Sequence, residues 1–130
     1  MRIGVAVLGG LASWFILGAM GLAVLRWWPD YATAEPTKAY TFAMLIARLT
    51  VALIASAVAG ALAAKMSRSG AGAAWWVGVV LLAGSAPIHL AMVWADYPAW
   101  YHVAYLLPLI PVTGLSGTLF SAGHLRRARL

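Results

Sequence analysis

Long apolar runs separated by short polar clusters set the pattern of this chain. A helix that crosses a hydrocarbon layer about 30 Å thick needs roughly 20 predominantly apolar residues. Residues 3–25, 39–64, 73–95 and 100–122 each reach that length, and the connections between them are short. The pattern predicts an all-α membrane protein: one domain over residues 1–130, with four transmembrane helices in an antiparallel bundle.

Inside the runs, the small and polar residues mark faces. Gly9, Ser13, Gly18 and Gly21 give the first helix small surfaces for close packing. At about 100° per residue, Ala52, Ala55, Ala59 and Ala63 share a face with Arg48, the one charge within the second run, so the arginine is expected to point into the bundle. Gly78, Leu82, Ser85, His89 and Asp96 share a face of the third run, although Pro87 is placed to bend it. His102, Tyr105, Thr113 and Ser116 form a stripe on the fourth. Pro108, Pro111, Gly114 and Gly117 make that helix the least regular.

The polar clusters supply the aromatics. RWWPDYATAEPTK, Arg26 to Lys38, reads as an exposed loop whose two tryptophans and Tyr31 suit a headgroup layer. KMSRSGAG, Lys65 to Gly72, is a basic turn. WADYPAWYH, Trp94 to His102, places four aromatics, an aspartate, a proline and a histidine between the last two runs, with Asp96 and His102 expected to be solvated. WPDY at Trp28 is echoed by WADY at Trp94, 66 positions later, and Gly18 and Gly84 match at the same offset. Two hairpins in the same orientation would produce such an echo.

Composition and charge support this reading. The chain is 64% hydrophobic and 9% charged, against about 25% charged in a soluble domain, and its mean hydropathy is +0.89. The net charge of +6 comes from basic residues that flank the runs and form no stripe, which argues against nucleic acid as a partner. Arg2, Lys65, Arg68, Arg126, Arg127 and Arg129 fall on one side and only Arg26 and Lys38 on the other. By the positive-inside rule both termini are cytoplasmic. An A-x-A site at Ala32 to Ala34 raises a signal peptide, but the first run exceeds an h-region of about 7 to 15 residues, which favours a retained helix.

The residues available for chemistry are few. Cysteine is absent, which removes disulfides and thiolate metal sites, and asparagine and glutamine are absent too. An arginine inside a span costs about 2.5–3.5 kcal/mol on insertion scales and faces a partner or water. Arg48 and His89 are expected at similar depth, so a polar pocket of Arg48, Ser85, His89, Asp96, His102 and Tyr105 is the candidate binding site. The competing expectation is that Arg48 is a structural lock held by carbonyls, a hydroxyl or an acid. His89 and His102 are the one histidine pair level enough to consider for a haem, but they differ in expected depth. Neither HExxH nor a carboxylate cluster is present, and Asp96 lies about 10 Å along the axis from His89, too far to complete a triad with Ser85. The expectation is therefore no catalytic residue, no metal and no cofactor.

Four spans at this length do not by themselves point to a family: the embedded glutamate of small multidrug transporters, the asparagine of membrane glutathione enzymes and the cysteines of vitamin K reductases are all missing. AGALAAKMSR, VWADYPAWYH and LLPLIPVTGLSG, in the last three spans, resemble a diffuse group of small bacterial four-span inner-membrane proteins with no assigned function. The resemblance implies fold and a bacterial inner-membrane location, and carries no activity. Two function classes follow. One is a non-enzymatic structural or accessory component that packs through small-residue faces against a second copy or a larger membrane complex. The other is a small carrier or sensor built on the Arg48 and His89 pocket. A reporter fused after Leu130 is expected to behave as cytoplasmic; activity of an export-dependent reporter at that point sinks the orientation.

Overall fold

The computed structural model describes residues 2–68 and 70–127, with 124–127 as backbone. Arg129, counted in the orientation above, lies outside the described residues. Every described element is helical: α1 (Ile3–Leu25), α2 (Pro29–Ala34), α3 (Phe42–Met66), α4 (Ala71–Pro87), a π-helical turn (Ile88–Met92), a 3-10 turn (Trp94–Asp96), α5 (Ala99–Leu106) and α6 (Leu109–Arg127). Four stretches are long and apolar enough to cross a membrane: Ile3–Leu25, Phe42–Met66, Ala71–Met92 and Ala99–Gly123. They pack as a helical bundle.

The boundaries differ from the sequence expectation where local chemistry intervenes. The second long helix starts at Phe42, three residues late. Lys38 takes a left-handed conformation at φ 57°, the Tyr40 N–H bonds back to the Lys38 carbonyl, and the Thr41 hydroxyl caps the Met44 N–H. A chain turned back by Lys38 begins its helix only after that cap. The third span ends at Met92 because Pro87, which has no N–H, disrupts the i→i−4 ladder. The backbone widens into a π turn, in which the Val93 N–H bonds the Ile88 carbonyl. Pro108 divides the fourth span between α5 and α6, and the ladder resumes when the Val112 N–H bonds the Pro108 carbonyl.

The bundle is held differently at its two ends. Toward the Lys65 turn, packing is by small residues. Ala55, Ala59 and Ala63 are fully buried along α3, as is Ala73 at the start of α4. Thr113 of α6 is also fully buried, and its hydroxyl returns to the Leu109 carbonyl at 2.7 Å. A Cβ at Gly60 would strike the Thr113 carbonyl, and one at Gly78 the Thr113 hydroxyl. α3, α4 and α6 therefore meet at backbone distance, the approach that small residues permit. Toward the Trp94 turn, aromatics and hydrogen bonds replace this packing. α1 is the least enclosed span, with 11% of its most apolar window buried against 33% for α3.

Of the small residues expected to mark faces on α1, Gly9 meets Met66 and Gly21 meets Val51, while a Cβ at Gly18 has open space. Gly60→Ala is expected to destabilise by about 1–3 kcal/mol through overpacking, whereas Gly84→Ala, where a Cβ meets nothing, gains up to about 1 kcal/mol of helix propensity. Thermal unfolding of the two variants in detergent tests this. Equal midpoints would contradict the close crossing.

Candidate functional site: an arginine in a tyrosine cage

Arg48 lies six residues into α3, roughly 9 Å from its start at 1.5 Å per residue, and it points into the bundle as the alanine face predicts. Of the partners expected for a lock, carbonyls, a hydroxyl or an acid, its side chain finds hydroxyls. Its Nη1 donates to the Tyr31 hydroxyl and, at 3.3 Å, to that of Tyr40. Nη2 donates to Tyr97 at 3.4 Å, and Nε to Tyr101 at 3.3 Å. The guanidinium carbon also lies 5.0 Å from the Tyr40 ring centroid and 5.6 Å from that of Tyr97, within cation–π range. These two rings are nearly parallel, at 8°.

Each tyrosine is delivered by a local irregularity. Pro29 at the first position of α2 pre-sets the helical φ, and this short helix carries Tyr31 inward, fully buried. The turn at Lys38 presents Tyr40. Tyr97 follows the 3-10 turn in extended conformation, and Tyr101 sits in the first turns of α5, 2% exposed. Tyr31 is thus not the headgroup anchor that the sequence suggested, and Tyr97 and Tyr101 are turned to the same arginine. Their hydroxyls are spent on Arg48, although Trp27 remains 83% exposed and Trp94 and Trp100 are also exposed.

No carboxylate lies within ion-pair distance of Arg48 among the described residues. Glu35 is taken by Arg26, with Nε–Oε2 at 2.7 Å and Nη2–Oε1 at 3.0 Å, a fork that ties the end of α1 to the end of α2. The hydrogen bond from Arg26 holds the Glu35 carboxyl below its ordinary range against the opposing effect of desolvation. Asp30 and Asp96 are exposed. Burial pushes the Tyr40 phenol up, despite the opposing charge of Arg48, so Tyr40 gives the arginine a lone pair and no countercharge.

Beside the cage, the two histidines meet. His89 Nδ1 and His102 Nδ1 are 3.0 Å apart, and His102 Nε2 is 3.2 Å from the Trp94 carbonyl. The His102 ring stacks on Trp94 at 4.6 Å and is 1% exposed. This corrects two expectations: His102 is buried, not solvated, and it does not differ in depth from His89. The π turn carries His89 over to α5, where its ring stacks on Tyr105 at 4.2 Å. Tyr105 also has a side-chain hydrogen bond with Ser85. The imidazoles pair with one another through their Nδ1 atoms. Among the described residues no group of three or more metal-ligating side chains occurs.

The expected pocket therefore divides. Ser85, His89, His102 and Tyr105 come together, Arg48 sits apart behind Tyr101, and Asp96 is outside, carried off the α4 face by the π and 3-10 turns. Two half-open cavities flank this arrangement. One, of about 280 Å³, has Arg48 and Tyr101 at its wall. The other, of about 440 Å³, reaches Ser85 and His89. Trp14, Phe15 and Tyr105 line both, and the Trp14 indole N–H is fixed on the Ser56 hydroxyl at 3.0 Å.

The sequence reasoning missed Tyr31, Tyr40, Tyr97 and Tyr101 as functional residues, yet a signal was present. All five tyrosines of the chain lie in the two segments that bound this end, or in the first helical turns beyond them. In a chain without Asn or Gln they are its main large hydroxyl donors and acceptors. Comparison with protein-family models, curated proteins and solved structures finds no match.

Tyr31→Phe keeps the ring and removes one acceptor from a charged donor, so it is expected to cost about 1.5–3 kcal/mol. Asp96→Asn, at an exposed position, should change stability by less than about 0.5 kcal/mol. Chemical unfolding in micelles that ranks the two equally would show the cage to be energetically idle.

Proposed function

We propose that this chain is a non-enzymatic structural or accessory component of a bacterial inner membrane, an antiparallel four-span bundle with both termini cytoplasmic, whose aromatic end is locked by Arg48. The observation that carries the reading is that every nitrogen of the guanidinium already has a tyrosine hydroxyl as partner. A group so engaged, in a region where a free charge is costly, holds α2, the start of α3 and the Trp94 turn in one arrangement. The wide apolar face of α1, with Leu8, Phe15, Ile16 and Met20 exposed, faces the bilayer or the partner with which the component assembles, a second copy or a larger complex. The resemblance to small four-span inner-membrane proteins supports the location.

A second reading, a small carrier or sensor, is favoured by the two half-open cavities that end on Arg48 and on Ser85 and His89. Substitution at Arg48 tests the lock. Arg48→Leu leaves buried phenols without their donor, at about 1–3 kcal/mol for each hydroxyl stranded, and is expected to lower accumulation in the membrane severalfold, with Arg48→Lys intermediate. Wild-type levels and wild-type thermal midpoint in Arg48→Leu would refute the lock.

A further inference from the structure

The hydrogen-bonding needs of Arg48 are met, but its charge is not. Four neutral phenols surround it, Glu35 belongs to Arg26, and the two aspartates are exposed. Glu35 acts on Arg48 only at a distance, and a partly buried cation with no ion-pair partner among the described residues attracts an anion. The phenols reinforce that attraction: a tyrosine oxygen that accepts from the guanidinium still has its own O–H to donate. Arg48 and Tyr101 line the 280 Å³ cavity together with Tyr105, and its other walls, Gly18, Leu22 and Val51 among them, are mostly apolar. The cavity opens beside the exposed Phe15, on the side of the bundle that acyl chains would cover.

The geometry points to a binding site for a single-chain amphiphile with an anionic head, carboxylate or phosphate, the head at Arg48 and Tyr101 and the chain along α1 toward Trp14. Size favours one chain over two: at about 30 Å³ per water-sized group, the cavity holds roughly nine such groups. The histidine-lined cavity lacks this charge, and its imidazoles are already paired with one another. The inference rests on the second reading above and gives that reading its ligand class.

Four brominated probes, titrated into the purified full-length chain in nonionic micelles, test it by quenching of tryptophan fluorescence: 11-bromoundecanoate, the matched bromoalkyl phosphate, the matched bromoalcohol and a two-chain brominated phosphatidylglycerol. Bromine at the chain end falls near Trp14. The single-chain anions are expected to quench saturably and about tenfold or more tighter than the alcohol, and the tighter of the two identifies the head. Gly18→Leu puts an isobutyl group into the cavity from a position where a Cβ meets nothing within 4 Å; it should abolish saturation while the thermal midpoint is kept. Equal binding of the alcohol overturns the anionic head but leaves the carrier or sensor reading standing. Equal quenching by the two-chain lipid overturns the single-chain site, and unchanged saturation in Gly18→Leu overturns its location. No saturable quenching by any probe overturns the site, while the carrier or sensor reading still has the histidine-lined cavity.

Discussion

A guanidinium has five N–H donors and no acceptor, and inside an apolar bundle each unpaired donor is a penalty. The placement of Arg48 in α3 sets the constraint that the rest of the aromatic end obeys. The insertion cost of an arginine, about 2.5–3.5 kcal/mol at the centre of a span, is of the same order as one or two hydrogen bonds from a charged donor, at about 1.5–3 kcal/mol each. Arg48 has four such bonds and two ring faces. Even with long, imperfect geometry in three of them, solvation by phenols offsets the cost of the charge. Only tyrosine suits this task in a chain without Asn or Gln, because its hydroxyl is carried on an apolar ring that can sit against hydrocarbon.

The irregular backbone at this end follows from the same demand. A straight antiparallel bundle would present Arg48 with side chains from its neighbouring helices only. Four hydroxyls are gathered instead by a short proline-started helix, a left-handed turn at Lys38, a 3-10 turn and the start of α5. Pro87 contributes indirectly: the π turn after it rotates His89 onto Tyr105 and His102, which backs the Tyr101 side of the cage with stacked rings. The opposite end needs none of this, since Gly60, Gly78 and Thr113 settle the crossing of α3, α4 and α6 by contact distance alone.

The four apolar stretches were legible because length and hydropathy define them, and the inward direction of Arg48 was legible because Ala55, Ala59 and Ala63 repeat at helical spacing on the same face. What surrounds Arg48 was not. Tyr31 and Tyr97 sit in polar clusters whose tryptophans do lie exposed, and aromatics beside a span ordinarily serve as interfacial anchors. Distinguishing a buried tyrosine from an exposed tryptophan in WPDY or WADY requires the path of the turn, which tertiary contact decides. His102 was misplaced for a related reason: regular helical geometry put it level with solvent, whereas the π and 3-10 turns draw it under Trp94. The helix limits were drawn from hydropathy, and the cap at Thr41 and the missing N–H of Pro87 shorten the spans, so Arg48 and His89 lie nearer the helix ends than those limits place them.

The echo at 66 positions acquires a physical content that its letters did not have. Tyr31 and Tyr97, its two tyrosines, meet on opposite nitrogens of the same guanidinium, although one stands on an α-helix and the other after a 3-10 turn. Gly18 and Gly84, at the same offset, are both glycines beside which a Cβ would find open space, and each lines one of the two cavities that share Trp14, Phe15 and Tyr105. The echoed positions therefore supply the same two things: a hydroxyl for the lock from the segments that follow α1 and α4, and a gap beside each of those two helices. What breaks the equivalence is the charge. α3 carries an arginine at the edge of one gap, while the other gap ends on a histidine satisfied by its neighbour, so two cavities with three wall residues in common have different electrostatics. That difference, and not volume, separates the smaller cavity from the larger as a place for an anion.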